Sequence, residues 1–315
     1  MKTYKLTFSN LATLSKIPDA QTIFGIICNV ILQTKGEEEL KKYLNSFNDK
    51  AYFVHSSMFY ENALPMPKVS MLVAGKQNEA KWDVLKMQPN KQLSYLSKTK
   101  KYKKIAYIKE SLFNEHIVTD KIDELRQRLL NGDLVVKEGC VCDKEDISNE
   151  SYAMLNYHNN HLDQIDARRL YYDQTMYIPK NTKFVIYVKC EDIKYVKDIF
   201  KYSEYFGMGN RASVGKNMFK LLDTQLCEFE TFKENCVLLS KCTFDEDFNV
   251  EQSSYMIEAN VYRGSKYYSS NAIARINKYV EGSYMNVKHK KDYYGSVIKL
   301  NNNKDIYHYG IGFVL

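Results

Sequence analysis

The sequence predicts an α+β fold in two units, the first carrying a large insertion. Three observations predict it. The chain opens strand, helix, strand: residues 4–8 alternate apolar and polar, residues 20–31 repeat apolar side chains at helical spacing, and 51–59 is strand-like. Residues 183–222 read strand, helix, glycine-rich loop, strand. Between these stretches, from about 64 to 150, Pro65, Pro67 and long polar runs break the periodicity.

Each element has a local justification. Asp19, after Pro18, is placed to cap a helix whose Ala20, Ile23, Phe24, Ile27, Val30 and Ile31 face inward and which Gly36 closes. Gly25 and Cys28 are small enough to let this helix lie close to a sheet. Residues 37–47 predict a more exposed helix with Leu40, Tyr43, Leu44 and Phe47 inward. Inside the insertion, Thr119 is placed to cap a helix with Ile122, Leu125 and Leu129 inward, ended by Asn131-Gly132. Residues 183–190 read as a buried strand. Asp192 then caps a helix burying Ile193, Val196, Ile199 and Phe200, and 216–222 is a strand. The order β-α-β…β-α-β is the ferredoxin-like arrangement shared by RNA-recognition modules. The first unit is therefore placed at 1–222, with the insertion at about 64–150. A second unit, 223–315, has strand-like stretches at 236–243, 255–262 and 307–314 and an ambiguous helix at 271–280. It would make a smaller ferredoxin-like (RRM-like) domain.

Composition narrows the function classes. With 44% apolar residues in 315, the chain can build packed cores. A net charge of +7 suits an acidic partner. The 26 tyrosines, many beside lysines, suit stacking and phosphate contact on single-stranded nucleic acid, although half-buried strand positions account for most of them. The seven cysteines are scattered; Cys140 and Cys142 are too close for a zinc pair, so free thiols in a reducing cytoplasm are expected. Lys2 precedes a strand rather than a leader, and the most apolar stretch, 23–32, is too short to span a bilayer. Asp245-Glu246-Asp247 reads as a solvated turn rather than a metal site.

The stretch 206–219 carries the clearest chemistry. Gly207, Gly209 and Gly215 are interleaved with Asn210, Arg211, Ser213, Lys216 and Asn217. Glycines let a backbone approach another molecule, successive N–H groups form a concavity for phosphate, and two cations complete an anion site. A Walker loop is excluded: five residues, not four, separate Gly209 from Gly215, and Asn217 stands where a Mg²⁺-binding hydroxyl belongs. The dinucleotide pattern fails because Ala212 occupies its third glycine position. A tight connection without ligand remains the competing reading. The densest basic run holds Lys100, Lys101, Lys103 and Lys104 around Tyr102 and is either a solvated face or an arm for a nucleic-acid backbone. His158-Asn159-Asn160-His161 has histidines three apart, but Asn159-Asn160 argues for a polar loop contacting RNA or a neighbouring chain rather than for metal. Arg168 and Arg169 follow it.

These residues resemble a known family. Gly207, Gly209, Arg211, Ser213, Gly215 and Phe219 follow the order of the signature loop of the RAMP superfamily of CRISPR proteins, on a ferredoxin-like unit with a large insertion. Further segments narrow the resemblance to the family of the fourth Csm subunit, the Cas five-like RAMP of type III-A effectors. They are the opening strand and helix, Leu64-Pro65-Met66-Pro67-Lys68, Asn160-His161-Leu162-Asp163, Glu281-Gly282-Ser283 and Tyr309-Gly310-Ile311-Gly312-Phe313. The sequence departs from the pattern at Asn210 and Asn217, often glycine or small, and at Gln164, often arginine. The resemblance implies a cytoplasmic, non-catalytic subunit of a prokaryotic antiviral ribonucleoprotein. Such a subunit binds the 5′ repeat handle of crRNA and contacts the large signalling subunit and the backbone RAMP subunit. It implies no cofactor, metal, membrane or small-molecule substrate. The RNA-contacting residues expected are those of the glycine loop, Asn160, His161, Arg168, Arg169 and the four lysines. The alternative is a metal-independent RAMP endoribonuclease with His161 or His55 as general acid or base. The hundred or so residues after the loop favour the first reading. Cleavage of target RNA through a loop aspartate would need a shorter chain.

Overall fold

The computed structural model describes residues 1–69, 89, 105–137, 139–144, 155–161, 171–179, 181–227, 229, 234–263, 272–301 and 306–315. Strand β1 (Lys2–Asn10) leads through an extended link to α1 (Ala20–Lys35). Asp19 caps α1, accepting from the Thr22 amide at 3.0 Å and the Thr22 hydroxyl at 2.6 Å, and Gly36 ends it at φ +86°. Helix α2 (Glu37–Ser46) buries Tyr43 against Phe24 and Phe53. The expected strand at 51–59 is two short strands, β2 (Phe53–His55) and β3 (Phe59–Tyr60). It breaks because the Ser57 amide leaves the sheet to bond the Leu239 carbonyl at 2.9 Å.

The insertion follows as β4 (Ala63–Pro65), β5 (Tyr107–Lys109), α3 (Glu110–Leu112) with a π-helical continuation Phe113–Val118, α4 (Ile122–Asn131), β6 (Leu134–Lys137) and β7 (Cys140–Asp143). Helix α4 buries Ile122, Leu125 and Leu129, and left-handed Gly132 closes it. Thr119 does not cap it: its hydroxyl donates back to the Glu115 carbonyl in the preceding helical turn. Strands β8 (Leu155–His161) and β9 (Tyr171–Tyr177) form an antiparallel hairpin. Residues 156–161 are thus strand rather than the loop that Asn159-Asn160 suggests; pairing with β9 overrides the turn preference of asparagine.

Strand β10 (Lys183–Cys190) and helix α5 (Ile193–Ser203) lead to β11 (Phe219–Cys227). Asp192 caps α5 through the Lys194 and Tyr195 amides. The sheet runs β11-β1-β10-β2, antiparallel throughout, with β3 also on β10. The β-α-β…β-α-β order is thereby realised as one sheet. Leu6, Phe8, Phe184 and Ile186 form its apolar face, and Phe8 meets Phe200 of α5 at 5.7 Å. The insertion forms its own sheet, β4-β5-β7-β6. Gly25 does not serve close packing: it is exposed, and a Cβ added there would meet nothing within 4 Å.

After β11 come β12 (Asn235–Val237), β13 (Phe248–Ser254), β14 (Ile257–Arg263), β15 (Ala272–Tyr279), β16 (Tyr284–Val287), β17 (Tyr293–Asn301) and β18 (Ile306–Phe313). The stretch read as an ambiguous helix is β15, paired with β14 over Ile257–Arg263. Among the described residues no helix follows β11, so a second ferredoxin-like unit is not what these strands form. The fold class is α+β and rich in strands. Only the first residues of 236–243 are regular strand. The rest runs along β18 irregularly, the Ser240 hydroxyl donating to the Ile311 carbonyl and accepting from the Phe313 amide, both at 2.7 Å.

Period-two alternation on β18 joins two cores. Tyr309, Ile311 and Phe313 face the core that holds α1, with Tyr309 5.2 Å from Phe24. Val314 faces a second core around Cys242, Phe248, Tyr279 and Tyr294. Gly312 is small because Cys242 presses on it: a Cβ there would lie 2.6 Å from its sulfur. The Asp245–Asp247 turn is not merely solvated. Asp245 accepts from the Gly295 amide at 2.7 Å, and Asp247 pairs with His289 and Lys291. All seven cysteines are free. Among the described residues no helix is long and apolar enough to cross a membrane.

Candidate nucleic-acid interface

Helix α5 delivers the glycine loop at the edge of the main sheet. The Glu204 carboxylate accepts the Leu221 amide at 2.8 Å, tying the helix end to edge strand β11. Tyr205 and Phe206 then project into solvent. The Gly207 amide donates to the Ser203 carbonyl at 3.0 Å, and the chain turns through Ala212–Val214, a single 3₁₀ turn. Five residues take positive φ: Gly207 at 69°, Gly209 at 133°, Arg211 at 64°, Gly215 at 84° and Asn217 at 56°. Gly209 has no alternative, because at its φ of 133° a Cβ would lie 2.9 Å from the side-chain Nδ2 of Asn217. Arg211 holds a left-handed conformation that costs roughly 1 kcal/mol without a glycine or asparagine side chain.

Asn217 organises the loop from within. Its side chain is buried and its hydrogen-bonding capacity is full. Oδ1 accepts from the Ser15 amide at 2.7 Å and the Ser15 hydroxyl at 2.9 Å. Nδ2 donates to the Lys16 carbonyl at 2.8 Å and the Met208 carbonyl at 3.2 Å. The Asn217 amide donates to Thr13, and the Ser15 hydroxyl also reaches the Asn210 carbonyl. The expectation that Asn217 contacts RNA with its side chain is therefore corrected: no donor or acceptor is left for a ligand. Asparagine tolerates the left-handed region, which explains why it can replace glycine here.

The outer rim differs. Asn210, Ser213 and Gly215 are exposed, and Arg211 and Lys216 are half-exposed. Among the described residues, the amides of Gly209, Asn210, Ala212 and Ser213 donate to no group in the chain. Four open amides beside an arginine and a lysine make a rim that complements an anion. Lys216 also anchors the rim, donating to the Thr175 hydroxyl on β9 at 2.6 Å. The Leu14–Met176 bridge links the same hairpin to residues 11–15. Loop, link and hairpin thus form one braced unit. Ser15, Thr13 and Thr175 were not legible in the sequence as parts of it, because nothing local distinguishes them.

The other candidates separate. Asn160 and His161 sit on β8, opposite Tyr172 and Tyr171, about 13 Å and about 17 Å along the hairpin from Met176 at 3.3–3.4 Å per residue. Arg168, Arg169, Lys100, Lys101, Lys103 and Lys104 lie outside the described residues. His55 is buried, stacked on Tyr309 with ring centroids 4.5 Å apart, and Nδ1 lies 3.0 Å from the Ser56 carbonyl. Burial lowers its pKa to about 4, so it stays neutral and out of reach of a substrate. The general acid or base role considered for His55 is therefore corrected. Among the described residues no three His, Cys, Asp or Glu side chains cluster as a metal site.

No family model matches the sequence, and no curated protein matches it. Solved structures do match. A chain of the crystal structure of a Csm3-Csm4 subcomplex, from the type III-A CRISPR-Cas interference complex, superposes on 100% of this chain and 99% of its own. Its TM-score is 0.68 at 15% sequence identity. A chain of the Csm1-Csm4 cassette in complex with AMPPNP covers 100% of this chain and 97% of its own, with TM-score 0.55 at 15% identity. The cassette in complex with cA4 gives 99%, 97%, 0.55 and 16%. Csm4 is the subunit common to the three complexes, and this chain shares the fold of the matched chains.

Proposed function

We propose that this chain is a non-catalytic RNA-binding subunit of a type III-A CRISPR effector complex. In this reading it grips the 5′ repeat handle of crRNA and joins the large signalling subunit to the backbone RAMP filament. The observation that carries the reading is the rim of open amides at Gly209, Asn210, Ala212 and Ser213 beside Arg211 and Lys216. Phosphate contacts of this kind position a strand without reading its sequence. The exposed rings of Tyr205 and Phe206, next to the rim, suit stacking of unpaired bases. Similarity of fold to structures of Csm3-Csm4 and Csm1-Csm4 supports a RAMP neighbour and a large-subunit neighbour as partners.

The test is fluorescence anisotropy with a labelled handle RNA. Arg211→Ala should weaken binding by about 1–3 kcal/mol, and unchanged affinity in a folded variant removes the loop from the RNA site. Incubating the same RNA with the protein, with and without Mg²⁺, should leave it intact. Specific cleavage that disappears in His161→Ala would replace the structural reading with the nuclease.

A further inference from the structure

Two motifs unused by the loop meet elsewhere. The segment ending in Met66-Pro67-Lys68 and the segment Glu281-Gly282-Ser283 come together where the Lys68 amide donates to the Gly282 carbonyl at 2.7 Å. They wall a cleft of about 350 Å³, the size of a small ligand site. Its lining also takes in Lys16 to Asp19, the stretch that braces the glycine loop through the Lys16 carbonyl.

The lining has two characters. Phe59 and Tyr107 provide rings, with Met58 and two prolines beside them. Lys16, Lys68 and Lys241 bring three cations from distant parts of the chain. Lys16 pairs with Asp19 at 3.0 Å and Lys241 with Glu258 at 2.6 Å. Among the described residues Lys68 has no hydrogen-bond or ion-pair partner on its ammonium, although burial lowers its pKa. The Glu281 carboxylate lies near enough to offset part of that lowering but makes no ion pair with Lys68, so a half-buried ammonium lining an open cleft can still receive an anion. Glu281 accepts from the Ser57 hydroxyl at 2.8 Å through one oxygen, and its other oxygen has no hydrogen-bond partner among the described residues. That oxygen can accept from the exocyclic amine of adenine, cytosine or guanine, where uracil presents a carbonyl.

We propose that this cleft binds a nucleotide unit, an unstacked amino-bearing base against Phe59 and Tyr107 with its phosphate on Lys68. The nucleotide is either free or part of an RNA strand. In the second case the proposal rests on the RNA reading of the loop, because the strand would pass from the rim over Ser15 and Lys16 into the cleft.

The test titrates the full chain with AMP and UMP by calorimetry and with a short labelled single-stranded RNA by anisotropy. Lys68→Ala, Lys68→Met, Glu281→Gln and Arg211→Ala are compared, each checked for folding by thermal melting. Loss of the Lys68 charge should weaken binding about tenfold, the effect of one charge-assisted hydrogen bond. Glu281→Gln, which keeps the shape, should narrow the preference for AMP over UMP. Arg211→Ala should weaken RNA and leave AMP unchanged. Weakened AMP binding in the Lys68 variants with RNA unaffected assigns a free nucleotide; weakened RNA with AMP undetectable assigns a nucleotide of the strand. AMP bound by a protein that ignores RNA retains the cleft and discards the RNA reading. The cleft proposal is overturned if the wild type binds neither probe, or if folded Lys68 and Glu281 variants bind both as the wild type does.

Discussion

Ser15 and Asn217, 202 positions apart, hold one another twice, through the amide and the hydroxyl of Ser15 on one oxygen of Asn217. The same asparagine donates to Lys16 and Met208. Asn217→Ala would leave the Ser15 amide and two carbonyls without their partner and put alanine in a left-handed conformation. The expected loss is about 3 kcal/mol, seen as a lower urea midpoint with unchanged slope. A midpoint equal to the wild type would show that the loop is held by other contacts.

Two glycines should respond oppositely to alanine. At Gly312 the new methyl would meet Cys242 Sγ at 2.6 Å and Cβ at 2.8 Å, between two packed cores. Gly312→Ala should destabilise by about 2–3 kcal/mol. Gly25 lies in α1 with nothing near and no positive φ. There alanine should stabilise by about 0.5–1 kcal/mol, through helix propensity alone. Thermal melting of the pair checks both signs, and a stabilised Gly312→Ala would contradict the packing.

Acid should weaken the protein through buried histidines. Burial takes His55 from 6.5 to about 4, and His308, buried near Lys278, to about 3. Below 6.5 the unfolded chain takes up protons that the folded chain refuses. Stability is therefore complete above that pH and falls as pH drops toward 4. For His55 the difference reaches about 3 kcal/mol. Melting curves at pH 7 and pH 5 should show the drop, and His55→Gln should flatten the pH dependence. An unaltered slope in that variant would mean that His55 is not the titrating group.

Salt dependence addresses the basic run. If Lys100, Lys101, Lys103 and Lys104 touch RNA, replacing all four with glutamine lowers the log–log salt slope by about 0.7 for each lysine in contact. A slope identical to the wild type returns the run to an ordinary solvated face.

Sequence alone determined the features whose physics is local. Asp19 and Asp192 cap their helices, and Gly36 and Gly132 end theirs, because caps bond within three or four residues. Inward faces such as Ile23, Ile27 and Ile31 follow from the helical period. The glycine loop was visible as a candidate anion site for the same reason. Only the tertiary structure decided what depends on distant partners. Residues 272–279 became a strand because β14 pairs with them, where their own pattern left helix open. Asn217 turned inward, while its neighbours on the rim stayed open, because Thr13, Ser15 and Lys16 come to meet it from the other end of the chain. The cleft at Lys68 and Glu281 likewise joins segments more than two hundred residues apart, and no spacing in the sequence encodes such a meeting.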